Sequence, residues 1–313
     1  MMVTIRMCEE SFVPGILDGT ITCPVHLYTG QEAVAAGVCA ALDTRDYVFG
    51  SHRSHGHFLA KGGTVKELMA EVYCRETGCS RGRGGSMHLI DPERGMLGAA
   101  PIVAGTISLA LGAAMAAQVR GEDRVAVTFF GDGATGEGVL YEALNFAALR
   151  RLPLIFACEN NLYSTHMPIR EIRVDCPIVL IASPFGIKAH RVDGNDVLAV
   201  HEAASSAVAA CRSGNGPVFI EFLTYRMRGH VGPNDNIQGT HTDIRPPEEL
   251  EHWRARDPIA GFERHLLAAG AVDADGLQRI KIEVADQVRA AHVHASESSR
   301  PAQEDLYKYV FHD

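Results

Sequence analysis

The amino-acid sequence predicts an α/β fold, in which helices flank a parallel β-sheet. Runs of β-branched and aromatic residues alternate with segments of helical periodicity, which is the order typical of a parallel sheet. Apolar residues make up 46% of the 313 residues, so the chain can bury a large core. The formal net charge of −9 argues against nonspecific nucleic-acid binding, which needs a surplus of cations.

Four apolar runs predict the strands, and segments of helical periodicity predict the helices that cover them. The predicted strands are residues 125–130, 153–158, 186–192 and 217–223. The predicted covering helices are residues 64–73, 103–119, 137–150 and 196–212, the last with Asn195 as its N-cap. Parallel strands carry their ligands at their carboxyl ends, so the loops 131–138, 159–167 and 224–233 are expected to meet at one edge of the sheet.

The composition changes after Pro247, where charged helical segments replace the alternation of strands and helices. Helices are predicted there over residues 248–256, 258–269 and 273–296. We therefore predict one α/β domain over residues 1–245, with residues 246–313 as a helical C-terminal extension of the same domain.

The sequence favours a cytoplasmic protein without a membrane partner. The first ten residues contain no apolar signal region, and the longest weakly polar run, 103–117, is too short and too rich in small residues to span a bilayer. Eight cysteines are scattered without a CxxC pair, which is typical of a reducing compartment.

A glycine-rich turn follows the predicted strand 125–130 and contains Asp132. Its glycines let the backbone approach a ligand, and the following helix begins with free amides, an arrangement that suits a phosphate. The carboxylate suggests a Mg²⁺ ion shared with that phosphate. A tight turn with a capping aspartate is the alternative interpretation.

Asn160 and Asn161 follow the next strand, and 26 residues separate them from Gly133. This GDG-to-NN spacing resembles the cofactor motif of thiamine-diphosphate enzymes. The resemblance implies a thiamine-diphosphate-binding fold. It also implies Mg²⁺ ligands at Asp132, Asn161 and the carbonyl of Tyr163, and backbone contacts from Gly133 and Ala134 to the diphosphate.

Five further segments occur in the order found in one branch of these enzymes. They begin at His26, His52, Gly82, Cys158 and Thr224, and they resemble the α subunit of the decarboxylating component of 2-oxo acid and acetoin dehydrogenase complexes. The resemblance covers nearly the whole chain. It implies an oxidoreductase subunit that decarboxylates a 2-oxo acid or cleaves acetoin and passes the acyl unit to a lipoyl acceptor.

The resemblance also assigns roles to several basic residues. His52, Arg53 and His230 match positions that bind the cofactor diphosphate. His230, His55 and His26 are candidates for hydrogen bonding or proton exchange with the substrate. The alternative is a small transition-metal site or a solvated loop at His52, His55 and His57, whose spacing would fit a metal-dependent hydrolase.

Two loops depart from the family pattern. The aminopyrimidine ring is expected against the carbonyl of Pro101 and the backbone of Val103, yet Pro101 and Ala104 each replace a glycine. Residues 231–241 lack the usual serine of the regulatory loop, so control by phosphorylation there is not expected. Glu142 is interpreted either as a carboxylate in a tunnel between two active sites or as an ordinary solvated residue.

No residue of this chain matches the glutamate that activates the cofactor. The resemblance implies that a β subunit supplies it, in an α2β2 tetramer to which a lipoyl transacylase core can bind. Three alternatives to the dehydrogenase remain at this point: a biosynthetic acyl or acyloin transferase subunit, a catalytically silent subunit, and the hydrolase.

Overall fold

The computed structural model describes residues 1–234 and 245–308. Eight strands lie in this part of the chain: β1 (Tyr47–Gly50), β2 (Met96–Ala99), β3 (Ala126–Gly131), β4 (Leu154–Asn160), β5 (Tyr163–Ser164), β6 (Met167–Pro168), β7 (Lys188–Asp193) and β8 (Val218–Leu223). Six of them form one parallel sheet in the order β2-β1-β3-β4-β8-β7, while β5 and β6 form a short antiparallel ribbon beyond β4.

The α-helices of the described residues cover both faces of the sheet and form the C-terminal part of the chain. They are α1 (Met2–Leu17), α2 (Glu32–Ala40), α3 (His55–Ala60), α4 (Val65–Val72), α5 (Gly105–Val119), α6 (Gly138–Arg150), α7 (Ile169–Ile172), α8 (Val197–Arg212), α9 (Pro247–Arg254), α10 (Pro258–Ala268) and α11 (Ala274–Glu297). None of the helices in this part of the chain combines the length and the apolar character needed to cross a membrane.

The two central strands, β3 and β4, are buried on both faces. Successive residues point to opposite sides, so Phe129 and Ile155 pack in one apolar layer, with α1 to α4, α8 and α11. Phe130 and Phe156 pack in the other layer, with α5 and α6. Continuous apolar runs are the expected composition of such strands, because no face of a central parallel strand meets water.

The fold confirms the predicted α/β class, and the predicted strands and helices occur within a few residues of their expected bounds. The N-cap of α8 is an exception. The side chain of Asp196, not Asn195, accepts hydrogen bonds from the amides of Leu198 and Ala199. Asn195 instead accepts a hydrogen bond from the Thr224 hydroxyl at 2.9 Å.

The three predicted C-terminal helices are present as α9, α10 and α11, and they pack on the rest of the chain. Trp253 of α9 stacks on Tyr225, with the ring centroids 5.3 Å apart. Arg6 of α1 donates to the carboxylate of Asp257, the N-cap of α10, at 2.8 Å. Through these contacts the C-terminal helices pack against residues near both ends of the preceding chain. The predicted boundary at residue 245 stays a prediction.

Candidate functional site

A cavity that is open to solvent lies at the carboxyl ends of the central strands. Residues from the ends of β3, β4 and β8 line it, as predicted for the three loops that follow these strands. Its lining contains most of the residues that the sequence nominated, together with others that it did not: Gln31, Ser51, His52, Arg53, Val103, Ala104, Phe130, Gly131, Asp132, Gly133, Ala134, Glu159, Asn161, Tyr163, Ser164, Thr165, Arg226 and His230.

Asp132 lies directly after β3 and is 1% exposed. Its Oδ1 accepts a hydrogen bond from the amide of Gly133 at 3.1 Å, whereas its Oδ2 is buried without a hydrogen-bond partner. Burial raises the pKa of the Asp132 carboxyl to about 7. A buried carboxylate oxygen with no partner is costly, and a cation would remove that cost.

Asn161 follows β4, the strand next to β3, so its side chain reaches the same cavity. Its Nδ2 donates to Oε1 of Gln31 at 3.0 Å, and its Oδ1 accepts from the amide of Tyr163 at 3.3 Å. The Tyr163 N–H can only donate, so it identifies which end of the Asn161 amide is oxygen, and Gln31 holds the other end. No role was predicted for Gln31, although it lies five residues after His26, in the segment that begins there.

The turn after β3 needs glycine at position 133. A Cβ on Gly133 would lie 2.4 Å from the hydroxyl oxygen of Ser164 in β5, well inside contact distance. Tyr163, also in β5, lines the cavity while its hydroxyl donates to Glu249 of α9 at 2.8 Å. The ribbon of β5 and β6 thus holds the polar turn and the Tyr163 backbone close together.

Three imidazoles and a guanidinium form the opposite side of the site. Ring nitrogens of His26, His52 and His230 all lie within 4.8 Å of one another. Nη1 of Arg53 donates to the carbonyl of Leu27 at 2.6 Å, and its Nη2 donates to the carbonyl of His230 at 3.0 Å. His26 packs against both other rings, although it is not itself part of the cavity lining.

Burial and the Arg53 charge keep these imidazoles neutral. Together they lower the pKa of His26 to about 2 and that of His52 to about 3, and they lower the pKa of His230 as well. Nδ1 of His230 lies 3.4 Å from Nη2 of Arg53. Three neutral imidazoles could ligate a metal, but a guanidinium at this distance repels a cation and attracts an anion.

His55 and His57 do not join this cluster, so the alternative metal site considered at His52, His55 and His57 is not the one that the fold brings together. Both nitrogens of His55 are engaged inside the core, with Glu9 at 3.0 Å and with the Ser86 hydroxyl at 2.8 Å. His57 bonds to Glu159 at 3.1 Å and stacks on Phe129. Both side chains are thus held inside the core, and His55 is not part of the cavity lining, so its role toward the substrate stays a prediction.

The segment before α5 has an unusual backbone. Ala104, a buried residue, has φ = +61°, in the left-handed region that favours glycine. Val103 and Ala104 line the cavity, whereas Pro101 does not. The predicted contact through the Pro101 carbonyl is thus not part of the cavity as the structure forms it.

Glu159, at the end of β4, is a second carboxylate of the cavity lining. Its Oε1 accepts hydrogen bonds from the Tyr28 hydroxyl and from His57, so its polar end is held from behind the cavity wall. Glu142 is exposed on α6. Of the departing loop 231–241, residues 235–241 lie outside the described residues.

Comparison with known proteins shows to which family this chain belongs. Residues 1–304 match the dehydrogenase E1 component. The chain belongs to the dehydrogenase E1 component family. It is 39% identical to the α subunit of acetoin:2,6-dichlorophenolindophenol oxidoreductase from Bacillus subtilis (strain 168), over 97% of this chain and 88% of that protein. It is 40% identical to the pyruvate dehydrogenase E1 component α subunit of Porphyra purpurea, over 98% of this chain and 88% of that protein.

Membership of the E1 family confirms the resemblance stated from the sequence motifs. The family depends on thiamine diphosphate, which confirms the predicted cofactor. Both activities expected from the motifs, on a 2-oxo acid and on acetoin, appear among the relatives. A third, the pyruvate dehydrogenase E1 component α subunit of Rhizobium meliloti (strain 1021), is 38% identical over 98% of this chain and 86% of that protein.

Proposed function

We propose that this chain is the α subunit of a two-subunit thiamine-diphosphate enzyme that decarboxylates a 2-oxo acid or cleaves acetoin and transfers the acyl unit to a lipoyl acceptor. The single observation that carries the proposal is the unpartnered Oδ2 of Asp132, buried in a cavity that it shares with Asn161 at adjacent strand ends. Acidic and amide oxygens brought together in this way suit Mg²⁺ bound beside a phosphate.

The oxygen atoms on this side would hold the magnesium ion. Asp132 offers an unpartnered carboxylate oxygen, Asn161 an amide oxygen whose opposite end is held by Gln31, and Tyr163 its backbone carbonyl. All three residues belong to the cavity lining. The assignment rests on the presence of these hard oxygen donors in one cavity, because Mg²⁺ prefers oxygen ligands.

The basic side would hold the diphosphate. Arg53 brings a charge that does not titrate, while His52 and His230 offer imidazole nitrogens and Gly133 and Ala134 offer backbone amides. The two carbonyl acceptors of Arg53 fix the position of its guanidinium before any anion binds. A preorganised cation of this kind binds phosphate oxygens without first giving up side-chain freedom.

The substrate would meet the neutral imidazoles. When bound, thiamine diphosphate supplies an electron sink for breaking a bond next to a carbonyl carbon. His230 lines the cavity, and its uncharged imidazole would donate a hydrogen bond to a substrate oxygen. His26, which packs against the rings of His230 and His52, orients these two rings from behind.

A partner subunit would complete the site. The cavity lining contains two carboxylates, of which Asp132 faces the proposed metal and Glu159 is bound by Tyr28 and His57. Neither is free to protonate the cofactor ring, so we assign that role to a glutamate of a β subunit in an α2β2 tetramer. A lipoyl transacylase core is then the proposed binding partner of the tetramer.

The proposal is tested on the full chain purified with its β subunit. Pyruvate or acetoin is supplied with thiamine diphosphate, Mg²⁺ and an isolated lipoyl domain, and acylation of that domain is followed by mass spectrometry. We expect acylation with one of the two substrates and none after removal of Mg²⁺ with a chelator. Turnover to a free acyloin with an unmodified lipoyl domain would instead establish the transferase.

One further measurement distinguishes the catalytically silent subunit, and one variant tests the role of His230. A catalytically silent subunit would yield a tetramer that binds thiamine diphosphate but turns over neither substrate. His230→Ala should lower turnover with little change in thermal stability, since the ring borders a cavity instead of filling the core. Unchanged turnover in this variant would refute the role proposed for His230.

A further inference from the structure

Helix α9 contacts the wall of the cavity through the side chain of Tyr163. The Tyr163 hydroxyl donates to Oε2 of Glu249, in the first turn of α9, at 2.8 Å. Tyr163 itself is only 4% exposed and belongs to the cavity lining. One side chain therefore joins the proposed cofactor site to the C-terminal helices, and the function proposed above assigns no role to this connection.

The backbone beside Tyr163 is strained. Leu162 has φ = +72° and Thr165 has φ = +57°, in the left-handed region that residues with side chains rarely adopt. Leu162 separates Asn161 from Tyr163, the two residues of this loop that are proposed to ligate magnesium. Strained residues persist only where the surrounding structure holds them. The position of the two ligands should therefore depend on contacts that keep Leu162 in its conformation.

Hydrogen bonds within the loop account for part of this support. The amide of Leu162 donates to Oδ1 of Asn160 at 3.2 Å, and the amide of Tyr163 donates to Oδ1 of Asn161 at 3.3 Å. The carbonyl of Leu162 accepts from the amide of Ile169 at 2.8 Å. All three bonds lie within one short stretch of chain, so they do not connect this loop to the helices that surround it.

The side chains of α9 supply support from outside the loop. Trp253 stacks on Tyr225 with the ring planes 6° apart, and Tyr163 meets the same Tyr225 ring edge-on, with the centroids 6.2 Å apart. Leu162 packs against this aromatic cluster. Glu249 holds the outer end of the Tyr163 ring with a carboxylate acceptor, and charge-assisted hydrogen bonds are stronger than neutral ones. The strained turn is therefore held between the sheet and α9.

We propose that Glu249 is a positioning residue of the magnesium site, acting through the Tyr163 hydroxyl. By holding that hydroxyl, it keeps the strained turn at Leu162 in the conformation that brings the Asn161 side chain and the Tyr163 backbone together. The proposal rests on the magnesium site proposed above, to which it adds a residue that does not touch the ion. Residues that orient the ligands of a metal contribute to its affinity in the same way.

The test measures Mn²⁺ binding by the full-length protein, purified with its β subunit, in the presence of thiamine diphosphate. Electron paramagnetic resonance gives the affinity for Mn²⁺ without any need for turnover. Glu249→Leu and Tyr163→Phe remove the same hydrogen bond from opposite ends, and each should lower this affinity by about 10-fold. Glu249→Gln keeps an acceptor oxygen and should lose less.

A double variant and a matched control separate positioning from a general loss of structure. If the single hydrogen bond carries the effect, Glu249→Leu combined with Tyr163→Phe should bind Mn²⁺ about as well as either variant alone. Glu248→Leu removes the same charge from the same turn of α9, but at an exposed position, and should bind Mn²⁺ like the wild type.

Three results would overturn the role of Glu249. They are wild-type affinity in Glu249→Leu and Tyr163→Phe, an equal loss in Glu249→Leu and Glu248→Leu, and additive losses in the double variant. Asp132→Asn distinguishes these failures from failure of the proposed function. If Asp132→Asn loses Mn²⁺ while Glu249→Leu retains it, the magnesium site stands and only the role of Glu249 is refuted. A wild-type protein that binds no Mn²⁺ would overturn both.

Discussion

The two sides of the cavity differ in the atoms that they present. One side, formed by Asp132, Asn161 and Tyr163, carries oxygen atoms at the ends of β3 and β4. The other, formed by Arg53, His52 and His230, carries nitrogen atoms and one permanent positive charge. We call these the oxygen side and the nitrogen side. Their juxtaposition suits a ligand that combines a cation with an anion, as a magnesium diphosphate does.

The pKa values of the two sides are shifted in opposite directions. Burial raises the pKa of Asp132 to about 7 and, with Arg53, lowers that of His52 to about 3. Both groups are thereby shifted toward their uncharged forms, because an isolated buried charge is unfavourable. A cation on the oxygen side and an anion on the nitrogen side would reverse these shifts.

The largest effect is expected from removing the charge of the oxygen side. Asp132→Asn should weaken the Mg²⁺-dependent binding of thiamine diphosphate by more than about 100-fold, since even residues that only support a metal ligand contribute about 10–100-fold. Without ligands the variant should unfold at the same or a higher temperature, because a poorly solvated carboxylate is removed. Calorimetric titration with and without Mg²⁺ checks this. A Mg²⁺-dependent affinity equal to that of the wild type would exclude Asp132 as a ligand.

A smaller loss is expected when the orientation of Asn161 is no longer set. Gln31→Leu removes the acceptor of the Asn161 amide and should lower the affinity for Mg²⁺ or Mn²⁺ by about 10–100-fold. Gln31→Glu keeps an acceptor at that position and should lose less. The side chain of Gln31 makes no capping hydrogen bond to α2, so the helix should be unaffected. Electron paramagnetic resonance of Mn²⁺ measures the affinity, and equal values for wild type and Gln31→Leu would contradict the role.

The lowered pKa of His52, on the nitrogen side, predicts that the stability of the protein depends on pH. The folded-state pKa of His52, about 3, lies below the ordinary value of 6.5, so its contribution to stability is present above pH 6.5 and decreases as the pH falls toward 3. Between pH 7.5 and 5 this amounts to about 2 kcal/mol. His52→Asn should reduce the loss of stability over that interval by a similar amount. Urea unfolding of the ligand-free protein at both pH values tests this, and identical losses would contradict it.

The smallest effect concerns the cavity wall at Ala104. Ala104→Gly removes the side chain from a residue with a left-handed backbone and should therefore stabilise the protein. The gain should be about 1 kcal/mol or less, because glycine also has more conformational freedom in the unfolded chain. Ala104→Val should be destabilising, since a β-branched residue fits neither this backbone nor the buried position. Thermal unfolding of the two variants should therefore move in opposite directions.

The sequence predicted the oxygen side better than the nitrogen side. Asp132 and Asn161 each follow a long apolar strand, so the parallel order of β3 and β4 was enough to bring them together. His26 and His52 lie next to short or irregular segments. The four-residue strand β1, just before His52, has too few residues for a period to be visible, and it was not predicted.

Local spacing also suggested partners that the fold separates. His52, His55 and His57 are close in sequence, but α3 begins at His55 and turns that residue and His57 into the core. Gln31 and Glu159 were not nominated because their roles depend on tertiary contacts, with Asn161 in one case and with Tyr28 and His57 in the other. No periodicity or motif of a single chain encodes such contacts.

The carboxylate of Glu71 lies wholly inside the protein at the end of α4. It accepts hydrogen bonds from four backbone amides of a glycine-rich loop, those of Ser80, Gly82, Gly84 and Gly85, at 2.7 to 3.1 Å. The buried Glu71 side chain thus fixes the shape of this loop. Ser86, at the end of the loop, bonds through its hydroxyl to the His55 ring and to the backbone amide of His26. A chain segment with many glycines would otherwise lose much conformational entropy whenever a ligand ordered it. Here that ordering is complete before any ligand arrives.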